Sequence, residues 1–154
     1  DFCLSRGLGD VYKRQVLNTL PFQPERMIEE LKTALAQGVD VVICNHIMEH
    51  VADDRRAMRE LHRVLKPGGW GIVLSPVDRD YEQTYEDDSI TDPDERTRIF
   101  GQYDHRRIYG ADYADRLRQA GFQVADIDYA ATFTEAERRL YALPADHMYV
   151  VYKV

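Results

Sequence analysis

Two apolar runs separated by an amphipathic stretch leave residues 39 to 76 little choice of fold. Val39 to Cys44 (VDVVIC) is continuous and β-branched at its centre, which suits a strand covered on both faces better than one half in water. Asp53 or Asp54 can cap a helix whose Ala57, Met58, Leu61, Val64 and Leu65 fall on a single stripe. Lys66, Pro67, Gly68 and Gly69 end it, because glycine permits the turn that a helix end requires. Trp70 to Pro76 (WGIVLSP) then forms a second apolar strand. A strand, a crossover helix and a second strand in this order pair in parallel, with a right-handed crossover.

The flanking sequence divides into weaker signals. Asp1 to Gln15 has neither helical nor strand periodicity and reads as a leader foreign to the fold, so the domain is expected over 16–154. Val16 to Phe22 has the pattern of a short strand and turn. Gln23 to Gly38 reads as a helix, with Pro24 in its first turn and Met27, Ile28, Leu31, Ala34 and Leu35 at helical spacing. Val77 to Asp92 is acidic and aperiodic, the profile of a long loop or lid. Asp92, Pro93 and Glu95 mark a helix start, and Tyr113, Ala114, Leu117 and Ala120 form a second helical face closed by Gly121. Val124 to Tyr129 alternates, with Asp126 and Asp128 on one face, as expected of a sheet-edge strand. Thr134 with Glu137 opens a last short helix, and Met148 to Tyr152 is a final strand of interior character.

Composition narrows the function classes. A net charge of −7 sets the chain's field against a nucleic-acid backbone or an anionic membrane as main partner. No apolar run approaches the roughly 20 residues needed to span a bilayer. Cys3 and Cys44 stand in unrelated contexts, so free thiols and a cytoplasmic setting are expected.

VDVVICNHIMEH followed by DDRRAMRELHRVLKPGGWGIVLSPV resembles the fourth strand, following helix and fifth strand of the class I S-adenosylmethionine-dependent methyltransferases, in their small-molecule, type 11-like group. The resemblance implies an α/β, three-layer Rossmann-like fold with a mostly parallel sheet and one antiparallel strand. The strands at 39–44, 71–75, 124–129 and 148–152 should lie in the spatial order first, second, fourth, third. The family's glycine-rich cofactor loop and ribose-binding acid have no counterpart ahead of Val39, so the chain reads as a C-terminal part, truncated at the N-terminus. The expected cofactor is S-adenosylmethionine, with Leu20, Cys44, Asn45 and His46 as contacts. Tyr103, Arg106 and Tyr109 are the expected contacts to a small-molecule acceptor, and the imidazole of His105 is the candidate base.

Two other readings stay open. The chain can keep the scaffold without the cofactor site, as a noncatalytic fragment, and self-associate through the unpaired side of strand 39–44. His46, Glu49 and His50 also spell H-x-x-E-H, a zinc-hydrolase pattern. That pattern needs a helix, whereas His46 follows directly on a strand, so no metal site is expected.

Overall fold

The computed structural model describes residues 15–16, 37–143 and 147–154. The helix expected over residues 23–38 and the contact expected at Leu20 lie outside these, apart from a helical Gln37 and from Gly38, whose φ is 70°.

The unit predicted from residues 39 to 76 is present. Strand β2 (Val39–Asn45) runs parallel to β3 (Leu65–Leu74), and helix α1 (Asp54–Val64) connects them. Asp53 is the cap, its side chain accepting the Arg56 N–H at 2.8 Å. The prolyl-glycyl turn begins later than its function as a helix stop requires, because α1 already ends at Val64 and Leu65 is extended. Lys66 to Gly69 instead form an irregularity inside β3, shifting its register on β2 between Val39 and Val41. Gly71 is the glycine the packing demands: a Cβ there would meet the Val42 carbonyl oxygen at 2.5 Å.

The main sheet has five strands in the order β1, β2, β3, β7, β6, where β1 is Gln15–Val16, β6 is Gln123–Ile127 and β7 is Met148–Tyr152. The four strands named in advance take their expected order, with 124–129 at the edge. The mostly parallel character expected of the sheet is overturned. β7 is antiparallel to both β3 and β6, and among the described residues the only extended parallel ladder is β2–β3, since β1 contributes just the pairs Gln15 with Val41 and Val16 with Val42. One reversed strand placed between two others makes both of its contacts antiparallel, so in a small sheet it dominates the pairing. A further antiparallel ribbon joins β4 (Tyr85–Glu86) to β5 (Arg107–Ile108), putting a strand into the segment expected to be plain loop.

The described residues show how one face of this sheet is covered. Helices α1 and α3 (Tyr113–Gln119) pack on each other and on the sheet face carrying Val42, Cys44, Val73, Tyr149 and Val151, all of which belong to one buried cluster. Side chains on the opposite face, among them Val41, Ile43, Ile72 and Leu74, are half-buried, and Trp70 and Tyr152 are exposed. Among the described residues the main buried cluster thus lies on the face covered by α1 and α3. The outer edge of β2, expected to be unpaired, is met by β1 at Val41 and Val42. Helix α2 (Pro93–Phe100) is capped by Asp92, and α4 (Glu135–Leu140) by the full reciprocal box of Thr134 and Glu137.

Candidate functional site

A ligand of a parallel ladder lies beyond the carboxyl ends of its strands, because there the chain leaves the sheet and side chains become available. In this chain that place is the turn from Cys44 to Ala52. Cys44 is buried, and desolvation, aided by the nearby Glu49 carboxylate, pushes its thiol up to about 12. Asn45 ends β2 with its side-chain Oδ1 buried and, among the described residues, without a hydrogen-bond partner. His46 takes a left-handed backbone, φ 53°, while its N–H donates to the Leu74 carbonyl at 2.8 Å. This kink turns the His46 side chain outward, where it is 66% exposed. Of the four expected cofactor contacts, Cys44, Asn45 and His46 thus share one turn.

Residues 48–50 form a turn rather than a helix, so the helical geometry that H-x-x-E-H requires is absent. Glu49 is nonetheless only 2% exposed, and its Oε2 accepts the Ser75 hydroxyl at 2.8 Å. His46 Nδ1 lies 3.5 Å and His50 Nε2 4.0 Å from its other oxygen.

The segment 103–109 reaches this turn from the far side of the sequence. The Arg106 N–H donates to the Glu49 carbonyl at 2.9 Å, and the His50 and His105 rings meet edge to face at 4.7 Å. His105 Nδ1 donates to the Phe100 carbonyl at 3.0 Å, which leaves Nε2 as its free nitrogen. Asp104 lies 3.2 Å from His50 Nδ1. Burial acts to raise the Asp104 carboxyl, but the Gln102 amide and the two imidazoles hold it below the usual range. Tyr103 is 62% exposed beside this group, and Arg106 extends to Asp88 at 3.2 Å.

Tyr109 is not placed where an acceptor contact was expected. It has no exposed surface, and its hydroxyl donates to Asp54 at 2.8 Å. Burial and the Asp54 charge push its phenol well above the normal range. It belongs to a buried network that sequence reasoning missed. Arg107 donates to the carbonyls of Met48, Val51 and Ala52 at 2.7, 2.6 and 3.0 Å and to Glu86 at 2.9 Å. Arg116 reaches Asp54, Asp112 and Glu86 at 3.0 to 3.1 Å. Arg107 therefore clamps the 48–52 turn against β5 and fixes Glu49 and His50 relative to His105. No spacing in the sequence couples position 107 to position 48. The available signal was only the density of polar side chains between Gly101 and Gly110.

Residues 12–73 match the family model described as "Methyltransferase domain". The chain is 38% identical over 52 residues, 34% of its length and 21% of the relative's, to a ubiquinone biosynthesis O-methyltransferase of Bordetella avium. It is 31% identical over 89 residues, 58% of its length and 30% of the relative's, to a Mycolicibacterium smegmatis protein described as "Probable S-adenosylmethionine-dependent methyltransferase". The chain thus spans between a fifth and a third of these curated relatives. Its fold resembles that of an O-methyltransferase family protein from Burkholderia thailandensis, with a TM-score of 0.50 at 16% identity, over 80% of this chain and 32% of that one.

Proposed function

Because this chain carries a class I S-adenosylmethionine-dependent methyltransferase-like domain, we propose that its protein transfers the sulfonium methyl of S-adenosylmethionine to a small-molecule acceptor. The names of two relatives point to an oxygen nucleophile. The observation that carries the cofactor assignment is Asn45 Oδ1, a buried acceptor at the carboxyl end of β2 with no partner among the described residues. Leaving such an atom unmet costs about 1–3 kcal/mol, which a donor on the bound cofactor would offset. When bound, the cofactor supplies an electrophilic methyl group.

The chain's own residues have separate tasks. Asn45 and His46 contact the cofactor from the β2 end, and Cys44 packs behind them. Tyr103 and Arg106 face the acceptor, while Tyr109 supports their segment from within the core. His105, through Nε2, takes the proton of an acceptor hydroxyl. A protein of net charge −7 acting on a small molecule, with Cys44 a free thiol, fits a cytoplasmic setting. Among the described residues no helix is long and apolar enough to cross a membrane.

Calorimetric titration of the 154-residue chain with S-adenosylmethionine tests the reading. Asn45→Ala should weaken binding about tenfold, the equivalent of one hydrogen bond of about 1.4 kcal/mol. His105→Ala should leave binding intact and lower methyl transfer to phenolic acceptors. A chain that binds no cofactor would support the scaffold reading instead. Light scattering in the same samples would reveal self-association through the part of the β2 edge beyond Val41 and Val42.

A further inference from the structure

Glu49 and His50 have no role in the reaction just described, yet they converge with His105. One ligand-capable atom from each of the three lies within 4.8 Å of the other two. We propose that Glu49, His50 and His105 form a binding site for one divalent transition-metal ion, with Zn²⁺ as its simplest occupant.

Orientation is the first argument. Each histidine has its Nδ1 engaged by an oxygen outside the cluster, His50 by Asp104 at 3.2 Å and His105 by the Phe100 carbonyl at 3.0 Å. That leaves both Nε2 lone pairs available, and His50 Nε2 lies 4.0 Å from Glu49 Oε1. Carboxylate or carbonyl acceptors on the distal nitrogen are how proteins fix the tautomer and direction of ligating histidines. Ser75 occupies Glu49 Oε2 and so leaves Oε1 for the same point.

Charge is the second. Glu49 is buried, and among the described residues the basic side chains within 4.0 Å of it are the imidazoles of His46 and His50. A buried carboxylate requires compensation, and a dication bound jointly with two neutral imidazoles supplies it. Rigidity is the third: Arg107 pins the carbonyls of Met48, Val51 and Ala52, and the Arg106 N–H holds the Glu49 carbonyl.

Two nitrogens and one carboxylate oxygen make the ligand set of an open site, with three protein ligands and a fourth position left for water or substrate. Donor atoms around a tetrahedral zinc stand about 3.4 Å apart, so the cluster need close by only about 1.4 Å at its widest. Rotation of three side chains covers that. The site sits beside His46 on the acceptor side of the turn, where a fourth ligand could be an acceptor oxygen. Metal and proton would then compete for His105 Nε2, so this assignment replaces the base role whenever the ion is bound.

The test needs neither cofactor nor acceptor, so its failure leaves the methyl-transfer reading standing. The chain is stripped with chelator, dialysed and titrated calorimetrically with ZnCl₂. One equivalent should bind, with His50→Gln and His105→Gln each weakening it at least about 100-fold and Asp104→Asn by about 10–100-fold. His147→Gln, at a histidine paired with Asp126 elsewhere, should bind as the parent does. Absence of stoichiometric binding, or equal affinity in both ligand variants, overturns the site. If either variant unfolds, the Co²⁺ spectrum of the unaltered chain decides. Intense visible bands of four- or five-coordinate cobalt support the site, and the weak spectrum of the hydrated ion overturns it.

Discussion

The Arg116 guanidinium lies 3.0 Å from the Asp54 carboxylate, joining α3 to the first turn of α1 across 62 residues of sequence, with both side chains almost wholly out of water. Tyr109 donates to the same Asp54 oxygen. Burial alone would lower the Arg116 pKa, but Asp112, Glu86 and Asp54 carry it above the normal range. Removing one partner of a buried pair strands the other. Asp54→Ala should therefore cost about 3–5 kcal/mol of stability in denaturant unfolding, and Asp54→Asn, which keeps an acceptor, clearly less. Equal and small losses in both variants would show that the network contributes little.

Gly71 and Gly68 should separate two kinds of glycine requirement. At Gly71 an added Cβ would stand 2.5 Å from the Val42 carbonyl oxygen, so β2 and β3 must part to admit it, at about 1–3 kcal/mol. At Gly68 the space is open, but φ is +78°, and alanine there pays only the left-handed backbone penalty of about 1–2 kcal/mol. Gly71→Ala is expected to lower the thermal midpoint more and to disturb β2–β3 amide protection. The opposite ranking would refute this account of the ladder.

Cys44 should be chemically silent in the folded chain. With its pKa near 12, only about one thiol in 10⁵ is ionised at neutral pH, against a few per cent for a free cysteine. Iodoacetamide followed by peptide mass mapping should leave Cys44 unmodified until denaturant is added. Rapid labelling under native conditions would mean that the β2 end opens readily.

The acid limb of stability should carry a contribution from Asp126. Burial acts to raise its carboxyl, but His147 and Arg79 hold it below the unfolded value of about 3.9. A depressed carboxylate stabilises the fold above its unfolded pKa, and that contribution disappears as pH falls through the folded value. Asp126→Asn should thus cost about 1 kcal/mol or less at neutral pH, a modest figure because the pair is partly exposed. The gap from the parent should close below about pH 4. A gap that stays constant down to acid pH would assign the effect to packing.

What the sequence determined by itself was local or periodic. The caps at Asp53, Asp92 and Thr134 were legible because each is a bond between residues three apart. The stripe of α1 and the runs of β2, β3 and β7 were legible because burial of one face or both imposes a period on the chain. Edge placement of β6 followed from the acids of the 124–129 stretch, Asp126 within the strand and Asp128 just after it. Only the tertiary structure decided which distant groups meet. Parallel and antiparallel pairing, the packing of α1 and α3 on one face of the sheet, and the clamp of Arg107 on the 48–52 carbonyls depend on how elements dock. So does the meeting of Glu49 and His50 with His105. Docking is governed by summed apolar burial, which leaves no mark in the spacing of the polar residues it brings together.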